Sequence, residues 1–88
     1  MNTTFLLMAQ YNGAAVIPLE TVCRDYFQHL TPLQFTRKAD DGSLDIPLLR
    51  IESSQKGARG IHINDLAAWI DVRREAARKE CDQLHGRR

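Results

Sequence analysis

Long apolar runs are missing from this chain, and so is any excess of charge. The longest uninterrupted apolar stretch, Phe5 to Ala9, is far too short to cross a bilayer. The first residues have neither a positive start nor an apolar segment long enough for a secretory signal, so none is expected. Only two cysteines occur, Cys23 and Cys81, too few for a disulfide framework. Cys23 falls on an apolar helical stripe, so a reduced core thiol in a cytoplasmic protein is the expectation. Of the three histidines, none stands at a Cys/His spacing that suits zinc. His29 and His62 read as structural or surface residues. No Gly-rich phosphate loop occurs. Ser53 and Ser54 have no His and acid partnered with them in sequence. Catalysis, a metal and a cofactor therefore have no positive evidence, and no enzyme is expected.

What remains is an ordinary soluble composition, 43% apolar and 26% charged, over 88 residues. That is one domain. A chain this short buries roughly 60–65% of its unfolded surface, which favours a binding module over a deep-pocketed enzyme. Net charge is only +1. Its distribution is uneven. Arg50, Lys56 and Arg59 are opposed locally by Glu52 alone. Arg73, Arg74, Arg78, Lys79, Arg87 and Arg88 crowd the end. Acids gather at Asp40, Asp41 and Asp45. A near-neutral chain can still carry a basic face.

Phe5 to Ala9 reads as a strand buried on both faces, and Tyr11-Asn12-Gly13 as a turn. Val16 and Ile17 suit a short return strand. Pro18 then opens a helix whose stripe is Leu19, Val22, Cys23, Tyr26, Phe27 and Leu30, ending near His29. Thr31 suits an N-cap, Pro32 the first helical position, and Gln34 completes a capping box. A second helix should run to about Ala39 and stop at Gly42. Leu33 and Ala39 should face inward, with Gln34, Arg37 and Lys38 outward. Two short helices so tightly joined make a helix-turn-helix.

Residues 46–51 and 60–63 read as strands of a hairpin, with Pro47 placing the first at an edge or delaying its start. Between them, residues 53–60 read SSQKGARG and hold no acid. Asn64 should cap a last helix reaching Leu84, about 30 Å long. Leu66, Trp69, Ile70, Ala77, Cys81 and Leu84 share one side of it. The order is strand, two helices, hairpin, long helix. It predicts an α+β fold, a small winged helix-turn-helix spanning residues 1–84, with 85–88 a frayed tail.

The chemistry of two segments suits DNA. Arg pairs bidentately with guanine, Gln with adenine, and Lys reaches guanine or phosphate. Thr31, Gln34, Arg37 and Lys38 would therefore form a recognition helix. Ser53, Ser54, Gln55, Lys56 and Arg59 carry hydroxyls, an amide and cations, the groups that hold phosphate oxygens. Gly57 and Gly60 allow close backbone approach. A solvated helix face and a soluble loop would use the same residues. Position tips the balance, because the loop follows directly on a helix-turn-helix. In the last helix, Arg73, Ala77, Cys81 and Leu84 suit either a dimer seam or phosphate contact.

The segments MNTTFLLMAQYNG, AVIPLETVCRDYFQHLTPLQFTRK, DIPLLRIESSQKGARG and DLAAWIDVRREAARKECDQL together resemble the pyocin activator protein family, PrtN. KADDGSL resembles, more distantly, a stretch of excisionase-like and AlpA-like winged helices. The family resemblance implies a transcription activator. It would bind repeated boxes in double-stranded DNA upstream of bacteriocin (pyocin) genes once DNA damage relieves its own repression. It assigns no individual contact residue. Two further classes stay open: a module docking RNA polymerase or a repressor, and an excisionase-like factor that bends DNA. Promoter DNA, polymerase and a second protomer are the expected partners, with no membrane.

Overall fold

The computed structural model describes residues 2–51 and 58–86. The chain begins with a helix, α1 (Thr3–Gln10), where the sequence suggested a strand. Leu, Met, Ala and Gln are good helix formers, and the Asn2 side chain accepts from the Phe5 amide at 2.7 Å to cap the first turn. A short apolar run cannot be assigned to strand or helix by periodicity alone. Nor is it buried on both sides. Leu7 is buried, whereas Phe5, Leu6 and Met8 are exposed. Asn12 and Gly13 both take positive φ, so the expected turn is real, but it ends a helix instead of joining two strands.

Strand β1 (Val16–Pro18) follows, then α2 (Leu19–Tyr26), as the stripe predicts. Leu19, Val22, Cys23 and Phe27 are buried, and Tyr26 and Leu30 pack against them. The helix stops at Tyr26, earlier than His29, because Phe27 leaves helical geometry with φ −132°. Its ring still enters the core. It meets Phe35 edge-on at 5.0 Å and Trp69 at 4.7 Å. Helix α3 (Pro32–Asp40) follows α2 after a five-residue link and starts with the expected capping box.

Strands β2 (Leu49–Arg50) and β3 (Arg59–His62) complete a three-stranded antiparallel sheet in the order β1-β3-β2. Pro47 precedes β2, which is an edge strand that begins late. Gly60, in the middle strand, stands opposite both Pro18 and Leu49. A Cβ there would lie 2.7 Å from Val16 Cγ1 and 2.8 Å from the Ile17 carbonyl oxygen. The backbone oxygen cannot swing aside. Gly60→Ala should therefore force β1 and β3 apart at a cost of about 1–3 kcal/mol, read as a lower urea midpoint. An unchanged midpoint would show that the strands do not pair this closely.

The last helix, α4 (Ile63–Leu84), begins immediately after β3. Asn64 is not its cap. His62 holds that place, its Nδ1 accepting from the Asn64 amide at 3.0 Å. The strand runs into the helix without a linker, so its last residue supplies the cap. That use makes His62 a structural residue.

Helix α1 lies along the first half of α4 and is tied down at both ends. Thr3 donates its hydroxyl to Asp71. Tyr11 donates to Asp25 at 2.6 Å and Tyr26 donates to Gln10 at 2.6 Å. Burial first, and the Asp25 carboxylate second, push the Tyr11 phenol above its ordinary range, so it remains a donor at neutral pH. The hydrogen bond from Arg24, then that from Tyr11, holds Asp25 below the usual carboxylate range. Core residues from every layer meet at Leu7, Ile17, Phe27, Phe35, Ile61 and Leu66. Beyond that core α4 projects as an arm, and the molecule measures 50 × 30 × 19 Å.

Candidate nucleic-acid interface

Phe35 and Thr36 fix how α3 faces. Both are buried, and the Thr36 hydroxyl donates to the Pro32 carbonyl at 2.9 Å instead of to solvent. At 100° per residue, Gln34, Arg37 and Lys38 then point away from the core, and all three are exposed. Leu33 corrects the expectation. It is 59% exposed, while Ala39 is half-buried. The helix is rotated about the Phe35–Thr36 pair, which puts Leu33 on the side facing the hairpin.

That rotation brings α3 and the hairpin base together. Leu33, Pro32 and Thr36 line a groove of about 350 Å³ with Ala58 and Arg59, and Glu20 of α2 borders it too. Arg59, at the start of β3, is thus beside the outer face of α3, although it is distant in sequence. The remaining loop residues, Ser53, Ser54, Gln55, Lys56 and Gly57, lie outside the described residues. On the hairpin's other strand, Arg50 is exposed and stands 3.9 Å from Asp40.

The cap limits what Gln34 can do. Its Oε1 accepts from the Thr31 amide at 3.0 Å, and Thr31 Oγ1 accepts from the Gln34 amide at 3.2 Å. Bidentate pairing with adenine needs both the oxygen and the NH₂ of the side chain. With the oxygen committed to the helix start, Gln34 keeps a donor only, suited to a phosphate or to one acceptor. Thr31 is likewise engaged as the cap. Arg37 and Lys38 carry no such commitment to the capping box, so the long cations are the chemically active part of this face.

Asp40 and Asp41 lie at the C-terminal end of α3, next to the last turn that carries Arg37 and Lys38. The Asp41 carboxylate accepts from the Ser43 hydroxyl and, at 2.8 Å, from the Ser43 amide. The hydroxyl first and the amide second keep it below the usual carboxylate range. Asp41 is therefore anionic just past the last turn, which also carries Arg37 and Lys38, so a polyanion would be met by the outer side of α3 and not by its C-terminal end.

A second groove, of about 690 Å³, lies on the opposite flank of α3. Phe27, Leu30 and Trp69 form its apolar wall, with Lys38, Arg73, Asp45 and Asp65 around it. The mixed signs do not suit a run of phosphates. The sequence stripes place Phe27 and Trp69 in a core but give no sign that their outer edges line a groove. Arg73, Ala77, Cys81 and Leu84 are all exposed on α4; Arg73 borders this groove with Lys38 of α3, and the other three lie farther out along the arm. Among the described residues no three His, Cys, Asp or Glu side chains gather as metal ligands, and no helix is long and apolar enough to cross a membrane.

Among the described residues, a tight helix pair whose second helix is capped, set beside a three-stranded antiparallel sheet with cations on the outer helix, defines a small α+β domain of four helices. The chain belongs to the pyocin activator protein PrtN family, whose model matches residues 3–77. The match takes in the helix pair, the whole sheet and the first part of α4. Neither a curated protein nor a solved structure matches the chain.

Proposed function

We propose that this protein is a winged helix-turn-helix activator that binds DNA upstream of pyocin genes and recruits RNA polymerase there. The observation that carries this reading is the placement of α3. It is a capped helix with Arg37 and Lys38 outward, the second of a tight helix pair, and Arg59 of the hairpin stands on its flank. The element order α1-β1-α2-α3-β2-β3 with strand order β1-β3-β2 supports a wing formed by the β2–β3 loop. The family supplies transcription activation.

In this reading α3 enters the major groove, Arg37 pairs with a guanine edge and Lys38 reaches guanine or phosphate. Gln34 serves as a single donor. The wing, through Ser53, Ser54, Gln55, Lys56 and Arg59, holds the backbone. One domain of this size spans few base pairs, so repeated boxes supply affinity through several bound protomers.

The wing is tested by salt. Each phosphate neutralised contributes about one unit to the dependence of log K on log salt. Lys56→Ala should weaken binding to operator and to unrelated DNA alike, and lower that slope by about one. A slope equal to that of the wild type would remove Lys56 from the interface.

A further inference from the structure

Four apolar residues of α4 recur at seven-residue spacing: Ile63, Ile70, Ala77 and Leu84. Ile63 is buried and Ile70 packs half-buried on the core. Ala77 is exposed, and Leu84 is 79% exposed. The line that seats the first half of α4 on the domain thus runs on along the arm, where no described residue covers it. Every residue from Asp71 to Cys81 is exposed. A helical segment of about a dozen residues is marginal in water without packing. At the root of the arm a second apolar surface is open. The outer face of α1 shows Phe5, Leu6 and Met8, and the first charged residue in the chain is Glu20. That face is apolar and uncharged on a helix whose other side already rests on α4.

We propose that both surfaces are covered by a second copy of this chain, with the two α4 arms packed antiparallel across a two-fold axis at Ala77. Charge selects this occupant and its direction. At 100° per residue, Arg73 and Glu80 fall on the same flank of the Ala77 line, three to four residues to either side of it. A two-fold axis perpendicular to the arms lays that flank against its own reversed copy. Arg73 then meets Glu80 of the second copy, and Glu80 meets its Arg73. Parallel arms would set Arg73 on Arg73 and Glu80 on Glu80, which like charges oppose. Flanking charges of this kind set partner and orientation in paired helices.

The apolar line is self-matching in the same register. Ala77 crosses Ala77, and Leu84 of each arm reaches Ile70 of the other. Ile70 is one residue from Asp71, where Thr3 anchors the start of α1. The tip of each arm therefore arrives beside the uncharged Phe5–Leu6 surface, which can face a second copy without burying a charge. The contact is isologous and closes at two. It stands independently of the DNA reading, and uses no residue of α3 or of the β2–β3 loop.

Sedimentation velocity on the full chain tests it. The wild type should sediment as twice its 10.0 kDa monomer at micromolar concentration. Arg73→Glu and Glu80→Arg each turn both pairs into repulsions, and each should raise the dissociation constant about tenfold. The double variant Arg73→Glu with Glu80→Arg should recover to within about threefold of the wild type, since the pair is reinstated with its signs exchanged. At concentrations that keep each variant dimeric, circular dichroism should match the wild type, because both positions are exposed, and helicity should fall only as the arms separate. A wild type that stays monomeric, single reversals without effect, or a double variant no better than the singles would each overturn the proposal.

Discussion

Phe27→Ala should cost about 3–5 kcal/mol of stability, the range for removing a buried aromatic ring. Domains of this kind hold only about 5–15 kcal/mol in total, so the variant should be largely unfolded at moderate temperature. The size of the effect follows from where the ring sits. Phe27 is 2% exposed, and it is the residue at which α2 ends. Its amide still donates to the Cys23 carbonyl at 3.0 Å, closing the helix. Its ring touches Phe35 of α3 and Trp69 of α4. One side chain thus holds three helices in register, and the link between α2 and α3 has no other large buried group. The cavity left behind cannot be filled by one neighbour without moving the others. Urea unfolding followed by Trp69 fluorescence measures the loss. A cost under about 1 kcal/mol would mean that the helix pair is held by something else.

Arg37→Ala should leave stability unchanged and cost about 1–3 kcal/mol of affinity for the specific site, roughly five- to hundred-fold. Arg37 is exposed on α3 and outside the capping box, so its removal opens no cavity. If it reads a guanine edge, the loss is confined to DNA carrying that base, and preference at that position relaxes. If it only held phosphate, operator and unrelated DNA would weaken together. Comparing both DNAs by fluorescence anisotropy separates the two. An Arg37→Ala protein that binds its operator as tightly as the wild type would displace α3 from the groove.

The parts of the fold written in local chemistry were legible. Leu19, Val22, Cys23 and Phe27 mark one face of α2, and Thr31-Pro32-Leu33-Gln34 spells out a helix start whose two hydrogen bonds are both present. Pro47 ahead of β2 likewise keeps its meaning. The misreadings have separate causes. Phe5 to Ala9 is apolar in both the strand and the helix reading, and the deciding cap, Asn2, lies just before it. Asn64 is a better N-cap by type than His62, but the junction of β3 with α4 puts His62 in the capping place. Leu33 has the apolarity of a core residue, but apolarity does not set the phase of a helix. The phase of α3 is set by Phe35 together with Thr36, a polar residue that satisfies its own hydroxyl within the helix. The neighbourhood of Arg59 and α3 is a tertiary fact, created by the return of β3 through the middle of the sheet, and no local pattern encodes it.

In the proposed function, α3 is the element that recognises DNA sequence. Footprinting of the purified full chain on DNA upstream of pyocin genes tests it most directly. Repeated protected boxes should appear at concentrations that leave scrambled DNA unprotected, and the boxes should fade first in Arg37→Ala. Uniform protection without a shared motif, or none at any concentration at which the protein is folded, would contradict it.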